Sequence, residues 1–281
     1  MKIAVTGATG QLGRLVVEQL KSKTSVDNIV ALVRTPEKAL DLGVNARAFD
    51  YNQAEGLEEA LNGVDTLLLI SGSEVGQRAT QHSNVIEAAK KSGVKWIVYT
   101  SLLHADTSTL SLAGEHLATE KMLKESGIEH TILRNGWYTE NYTGSIDGAL
   151  AGGAFIGSAG EGKISSAARA DFAAAAAVVL SDESNKGKVY ELAGDDSYTL
   201  SDLAKEISKQ TGKDIPYKNL AETDYASALK SFGIPEAFAG AIASWDVSAS
   251  KGDLFDDSKQ LSTLIGRATT PMAETVKVTL K

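Results

Sequence analysis

Lys2-Ile3-Ala4-Val5-Thr6-Gly7-Ala8-Thr9-Gly10-Gln11-Leu12-Gly13 decides the fold. Lys2–Thr6 reads as a strand and Gln11–Lys21 as a helix, with three glycines spaced across the turn between them. Each glycine has a separate task in such a turn. Gly7 permits the tight reversal out of the strand, Gly10 lets the backbone approach a pyrophosphate with no Cβ in the way, and Gly13 lets the helix pack close to the sheet. The unpaired N–H groups of the first helical turn, together with the helix dipole, hold phosphate oxygens. Glycines at this spacing carry that meaning only between a strand and a helix, and here they stand in that context. Thr9, Gln11 and Leu12 complete the predicted cradle.

Outward from this turn, short apolar runs alternate with helical patterns. Strands are predicted at Ile29–Val33, Ala46–Asp50, Thr66–Ile70, Trp96–Thr100 and His130–Leu133, and helices at Gly56–Leu61, Gln77–Ser92 and Leu112–Ser126. Strand and helix repeated in this way give an α/β protein, a Rossmann doubly wound parallel sheet with helices on both faces. Right-handed crossovers give the strand order 3-2-1-4-5-6. After Tyr142 the texture changes: Gly152–Gly162 reads as a glycine-rich loop, Asp171–Leu180 as an alanine-rich helix, Lys188–Leu192 as a strand and Thr199–Thr211 as a helix opened by a Thr N-cap. The C-terminal third is expected to be mostly helical, with a loop at Ser248–Asp257. The predicted organisation is a dinucleotide-binding domain over 1–145, to which later segments return, and a smaller lobe over 146–281.

Composition excludes several functions. The net charge is −8, which disfavours contact with phosphate backbones and argues against nucleic acid as a partner. No cysteine is present, so disulfides, thiolate nucleophiles and cysteine-held metals are ruled out, and a reducing, cytoplasmic setting is expected. No apolar run approaches the roughly 18–20 residues needed to cross a bilayer, and the N-terminus does not read as a signal peptide.

The end of the second strand selects the nucleotide. An acidic residue there would bind the adenosine ribose 2′-OH and repel a 2′-phosphate. This chain has Arg34, with Lys38 four residues on, while Asp27 precedes the strand and lies at its wrong end. A guanidinium pairs with a phosphate through two oriented bonds. NADPH is therefore the expected cofactor and NADH the weaker one. Asp50, after the third strand, is placed for the adenine amino group.

Eight segments in order then carry a resemblance: MKIAVTGATGQLG at 1–13, LLLISGSEVGQR at 67–78, VYTSLLHAD at 98–106, EHLATEKML at 115–123, LRNGWYTENY at 133–142, GKISSAARADFAAAAA at 162–177, GKVYELAG at 187–194 and KGDLFDDSK at 251–259. Together they resemble the NmrA-like, atypical short-chain dehydrogenase/reductase group and, within it, the bacterial type 2 NAD(P)H:quinone oxidoreductases. The resemblance covers essentially the whole chain. It implies NADPH binding, a two-lobed fold and two-electron reduction of quinones, with a small aromatic quinone as the partner substrate.

Short-chain dehydrogenases that oxidise alcohols use Tyr-x-x-x-Lys on the helix predicted at Leu112–Ser126. Lys121 is present, but Leu117 stands four residues earlier and has no proton to give. Lys121 is expected to hold the nicotinamide ribose. His116 faces about 100° away from Leu117 around the helix and reads as a surface or loop-contacting residue. The usual hydroxyl after the fifth strand aligns with Ser101 or with Leu102, and the sequence does not decide which. Quinone reduction produces a phenolate-like anion whose proton affinity is near that of tyrosine, about 10, so water can supply the proton. A site without the tyrosine suits quinones better than sugars or alcohols, and a nucleotide-sugar epimerase is disfavoured.

Ligands of a doubly wound sheet sit beyond the C-terminal ends of its strands. Ser71-Gly72-Ser73, Ser101, and Asn135-Gly136-Trp137-Tyr138 are therefore expected around the cofactor, with Tyr138 or Trp137 offering a flat face to the quinone. Direct hydride transfer requires no flavin and no metal, and one dinucleotide motif is found. The rival reading is a non-catalytic NADP(H) sensor acting through a protein partner, which the missing tyrosine also fits.

Overall fold

The computed structural model describes residues 1–281. In chain order it runs β1 (Ile3–Thr6), α1 (Gln11–Lys21), β2 (Ile29–Val33), β3 (Asn45–Ala48), α2 (Leu57–Ala60), β4 (Thr66–Leu69), α3 (Arg78–Lys91), β5 (Trp96–Leu102), α4 (Ala113–Ser126) and β6 (Glu129–Asn135). It continues through α5 (Thr139–Thr143), α6 (Ile146–Gly152), β7 (Phe155–Gly157), α7 (Arg169–Leu180), β8 (Val189–Leu192), α8 (Leu200–Thr211) and β9 (Tyr217–Asn219). Four helices close the chain: α9 (Glu222–Ser231), α10 (Glu236–Ser250), α11 (Gln260–Ile265) and α12 (Met272–Thr279). No helix is long and apolar enough to cross a membrane.

The main sheet has seven strands in the order β3-β2-β1-β4-β5-β6-β8, and β1 to β6 pair in parallel wherever their register is resolved. The expected six-strand order is present, and β8 extends it beside β6. β1, β2, β4 and β5 are buried along their whole length, as strands covered on both faces must be. One layer of core joins Leu32, Leu67, Leu69 and Ile97 of the sheet to Leu57, Val85, Ile86 and Leu123 of α2, α3 and α4. On α1, Leu12, Gly13, Val16, Val17 and Leu20 are buried, and the alanine-rich α7 packs against this helix. Its small side chains let two helix backbones come close.

The chain divides into two compact units. The first comprises Met1–Ala105, Gly114–Asn135 and Arg169–Glu191; the second comprises Asp106–Ala113, Gly136–Ala168 and Leu192–Lys281. Residues 136–145, expected with the dinucleotide-binding part, thus group with the second unit. The Gly152–Gly162 stretch is not wholly loop, because Phe155–Gly157 pairs in parallel with Tyr217–Asn219. A three-residue strand is too short to show alternation, and its partner lies some sixty positions on. Other boundaries shift by a few residues: β3 ends at Ala48 rather than Asp50, α10 runs to Ser250 inside the expected Ser248–Asp257 loop, and β5 and β6 run two residues beyond their predicted ends, so that Ser101 and Asn135 belong to strands.

Gly13 fixes how α1 leaves the sheet. A Cβ built there would lie 2.3 Å from the Gly7 carbonyl oxygen and 2.7 Å from the Ala8 Cα, both backbone atoms that cannot yield cheaply. Gly114, in the first turn of α4, has open space around its Cβ position. Gly13→Ala is expected to lower the unfolding free energy by about 1–3 kcal/mol, whereas Gly114→Ala should be neutral or gain up to about 1 kcal/mol. Urea denaturation of the two variants checks this; equal midpoints would show that the close approach is not a constraint.

Candidate active site

At the head of α1 the turn is built as the sequence demands. Gly7 has φ +57, a conformation costly for any residue with a Cβ, and its carbonyl accepts the Gly10 N–H at 2.8 Å. Gly10 is the N-cap and has extended backbone; no side chain caps the helix, and its first turn holds no acid. The leading N–H groups of α1 are therefore left for an anion.

In front of this turn lies a cleft of about 450 Å³ within the first unit. Its lining includes Gly7, Thr9, Gly10, Arg34, Asp50, Ser71, Gly72 and Ser73 from the predicted set, together with Lys38. A second hollow of about 530 Å³ adjoins it and shares Arg34, Phe49 and Asp50. Gln11 is exposed at the start of α1, and Leu12 and Gly13 are buried behind the turn, so these three shape the cradle from outside the cleft lining.

The Ser71–Ser73 wall is held by groups that sequence reasoning did not single out. The Gly72 N–H donates to His82 Nε2 at 3.0 Å, which leaves the ring proton on Nδ1, 2.9 Å from Thr119 Oγ1. The Gly72 carbonyl accepts from Arg78 Nε at 2.5 Å. Glu115 accepts from the Gly76 N–H at 2.9 Å and faces Arg78 at 3.7 Å. Burial, with the nearby Arg78 charge, pushes His82 down to about 4. The signal was in the sequence: His82 lies three and four residues before Val85 and Ile86, on the apolar face of α3.

The helix expected to hold the ribose is arranged differently from the prediction. α4 buries His116, Thr119 and Leu123 against the sheet, while the Lys121 side chain is 74% exposed on the other side and pairs with Glu125 at 3.8 Å. Lys121 is thus not brought to the cleft, because a position five residues from His116 is rotated about 140° from it. His116 is not a surface residue. Its Nδ1 is 2.8 Å from the Tyr99 hydroxyl, and burial, helped by Arg78, pushes it down to about 3. Burial also raises the Tyr99 phenol. The residue four after His116 is Glu120, and it carries the polar work of this helix. Ser101 Oγ donates to Glu120 at 2.6 Å, and Arg134 clamps the same carboxylate through two bonds of 3.0 and 2.8 Å. Arg134 also reaches Glu191 at 2.8 Å, and Glu191 accepts the His104 N–H at 2.9 Å. At the end of β6, Asn135 Oδ1 is buried with no hydrogen-bond partner.

In the second unit, Gly136 is buried, while Trp137 and Tyr138 are half-buried; Trp137 packs edge-on to Trp245, which in turn meets Phe238. No three His, Asp or Glu side chains gather as a metal site.

The residues present fit an NADP-type dinucleotide: an uncapped helix start behind glycines, cations at one edge of the cleft, and an unpartnered buried acceptor, Gln81 Oε1, in its lining. A family model described as NAD(P)H-binding matches residues 7–183. The chain belongs to this NAD(P)H-binding family. Quinone oxidoreductase 2 of Escherichia coli (strain K12) is 60% identical to it over 277 residues, covering 98% of this chain and 97% of that protein. The crystal structure of the E. coli NADPH-dependent quinone oxidoreductase complexed with NADPH superposes with a TM-score of 0.97 at 59% identity, over 99% of this chain and 100% of that one. Citrobacter sp. triphenylmethane reductase complexed with NADP(H) gives a TM-score of 0.95 at 40% identity, again over 99% and 100%. An NmrA-like family domain-containing oxidoreductase of Aspergillus flavus is 29% identical over 290 residues, covering 99% of this chain and 94% of that protein, so the expected NmrA-like resemblance is met as well as the Rossmann-type fold.

The two buried imidazoles predict an acid sensitivity. Their ordinary value is 6.5, and the folded chain holds them near 4 and 3. As pH falls below 6.5 the unfolded chain takes up protons that the folded chain refuses, so stability is full above that value and is lost toward pH 4. Asp246, whose buried carboxyl is pushed up to about 6, acts in the opposite sense, so the comparison must be between variants. His82→Gln keeps an acceptor for the Gly72 N–H and cannot titrate. Its urea-unfolding free energy should fall less steeply between pH 6.5 and 4 than wild type, by about one proton's slope, or about 1.4 kcal/mol per pH unit. Identical slopes would mean that His82 is already charged in the folded chain.

Proposed function

We propose that this chain is an NADPH-dependent quinone reductase that transfers a hydride directly, without flavin. The observation that carries the reading is the 60% identity, over nearly the full length of both chains, to a protein named quinone oxidoreductase 2. The first unit adds support with a cleft whose chemistry suits NADPH. In this reading the N–H groups behind Gly7, Thr9 and Gly10 hold the pyrophosphate, with Gln11, Leu12 and Gly13 setting the helix start. Arg34 and Lys38 take the 2′-phosphate, and Asp50 the adenine amino group. Ser71, Gly72 and Ser73 flank the nicotinamide half.

Two residues near the strand ends offer acceptors. The Ser101 proton is committed to Glu120, so its oxygen presents lone pairs. Asn135 Oδ1, buried and unpartnered, suits the carboxamide amino group of a nicotinamide. Gly136, Trp137 and Tyr138, expected from the sequence to offer close backbone approach and flat aromatic faces, belong to the second unit. Lys121 has no part in this assignment.

When bound, NADPH supplies a hydride, that is, two electrons and one proton. The quinone accepts it and takes a second proton from water, giving hydroquinone and NADP⁺. Flavin-free protein mixed with NADPH and a benzoquinone should consume reduced nicotinamide faster than a protein-free control, which is needed because quinones react slowly alone. Tight NADPH binding with no rate above the control would favour the redox-sensor reading instead. A rate that appears only with added flavin would remove direct hydride transfer.

Cofactor choice gives a separate test. A charged hydrogen bond at a solvent-exposed guanidinium corresponds to roughly tenfold in affinity, so NADPH should bind about tenfold more tightly than NADH. Arg34→Ala should erase most of that difference and leave NADH almost unchanged, as measured by calorimetry. Equal dissociation constants for the two nucleotides in the wild type would refute the role given to Arg34.

A further inference from the structure

The segment after β4 borders the cleft that Arg34 lines, and one of its residues is a carboxylate. Glu74 Oε1 stands 3.7 Å from Arg34 Nη1, while Glu74 Oε2 accepts from Gln81 Nε2 at 3.0 Å. Arg34, Gln81 and Glu74 all line the same cleft. The segment is anchored on either side of Glu74. The Gly72 peptide is gripped by His82 and Arg78, and the Gly76 N–H is held by Glu115. Glu74 is therefore presented to Arg34 from a short span between two fixed points.

The ion pair itself is weak. Its side chains are 71% and 46% exposed, and its separation is long for a direct bond. What matters is its place. A carboxylate resting on a guanidinium, at the edge of a cleft whose other end is an uncapped helix start, occupies the position where a phosphate monoester would be recognised. Binding a 2′-phosphate there requires Glu74 to release Arg34, and it sets a carboxylate beside a doubly charged group. A nucleotide with a free 2′-hydroxyl asks for neither.

We propose that Glu74 is an internal competitor for the 2′-phosphate seat on Arg34, and so limits how strongly the chain prefers NADPH over NADH. This rests on the NADPH reading above. Arg34 sets the direction of the preference and Glu74 its size.

The experiment is calorimetric titration of the whole chain with adenosine 2′,5′-bisphosphate and adenosine 5′-monophosphate, which differ only in the 2′-phosphate, and then with NADPH and NADH. Glu74→Gln removes the charge and keeps an acceptor for Gln81. It should tighten the bisphosphate and NADPH by about two- to fivefold and leave the monophosphate and NADH unchanged. The gain should shrink as salt is raised, and it should be much smaller when Glu74→Gln is placed on an Arg34→Ala background. A Glu74→Gln chain that binds the bisphosphate no more tightly than wild type, or that tightens both nucleotides equally, overturns this inference alone. A wild type that cannot tell the bisphosphate from the monophosphate overturns the NADPH reading as well.

Discussion

The close approach of Gly13 to Gly7 is the constraint on which the first unit depends. With no Cβ between them, the start of α1 sits directly on the turn out of β1, and a side chain at Gly13 would need space already filled by the Gly7 carbonyl and the Ala8 backbone. Two consequences follow from that one missing atom. The leading N–H groups of α1 are delivered to the mouth of the sheet, where no side chain caps them. The same helix buries Leu12, Val16, Val17 and Leu20, and the alanine-rich α7 packs against it.

The opposite wall is set by polar groups buried at the tops of α3 and α4. A peptide cannot be left unpaired in such a place without a cost of about 1–3 kcal/mol, and Gly72 meets that demand with His82 on one side and Arg78 on the other. His82 does this only as a neutral ring with its proton on Nδ1, and the apolar surroundings that bury it also keep it neutral. Arg78 in turn faces Glu115, which holds the Gly76 N–H. The wall is therefore stiff at Gly72 and Gly76, and the residue between them that reaches Arg34 is the acidic Glu74.

Most of the first unit was legible in the sequence, because its signals are local. A strand, three glycines and a helix lie within twenty residues, and the buried strands are continuous apolar runs. The order of six strands follows from handedness alone. What escaped was set by contacts distant in sequence. β7 and β9 are too short to show a pattern apart, and β8 finds its place only beside β6. On α4, Lys121 matches a familiar pair of residue types, yet the helix buries the face that holds His116 and leaves Lys121 exposed. Leu117 stands four residues before Lys121, whereas the pair that reaches the sheet is His116 and Glu120. The partners that explain Glu120, Ser101 and Arg134, come from two different strands, and no spacing in the sequence announces them.

That arrangement bears on the chemistry. A reductase acting on a simple ketone needs an acid beside the developing alkoxide, and the sheet-facing side of α4 has none to offer. His116 is held down to about 3, so at neutral pH it carries no extra proton to give. Tyr99, beside it, is raised by burial and keeps its proton more tightly than a free phenol. Glu120 is clamped by Arg134 and already accepts the Ser101 proton. These three groups of the α4 face are all committed to holding the fold. A site without such an acid suits acceptors whose reduced form is a stable anion near the acidity of a phenol, about 10, so that water completes the reaction. Quinones meet that condition and aliphatic ketones do not. The locked network of α4 thus agrees with the substrate class that the relatives indicate.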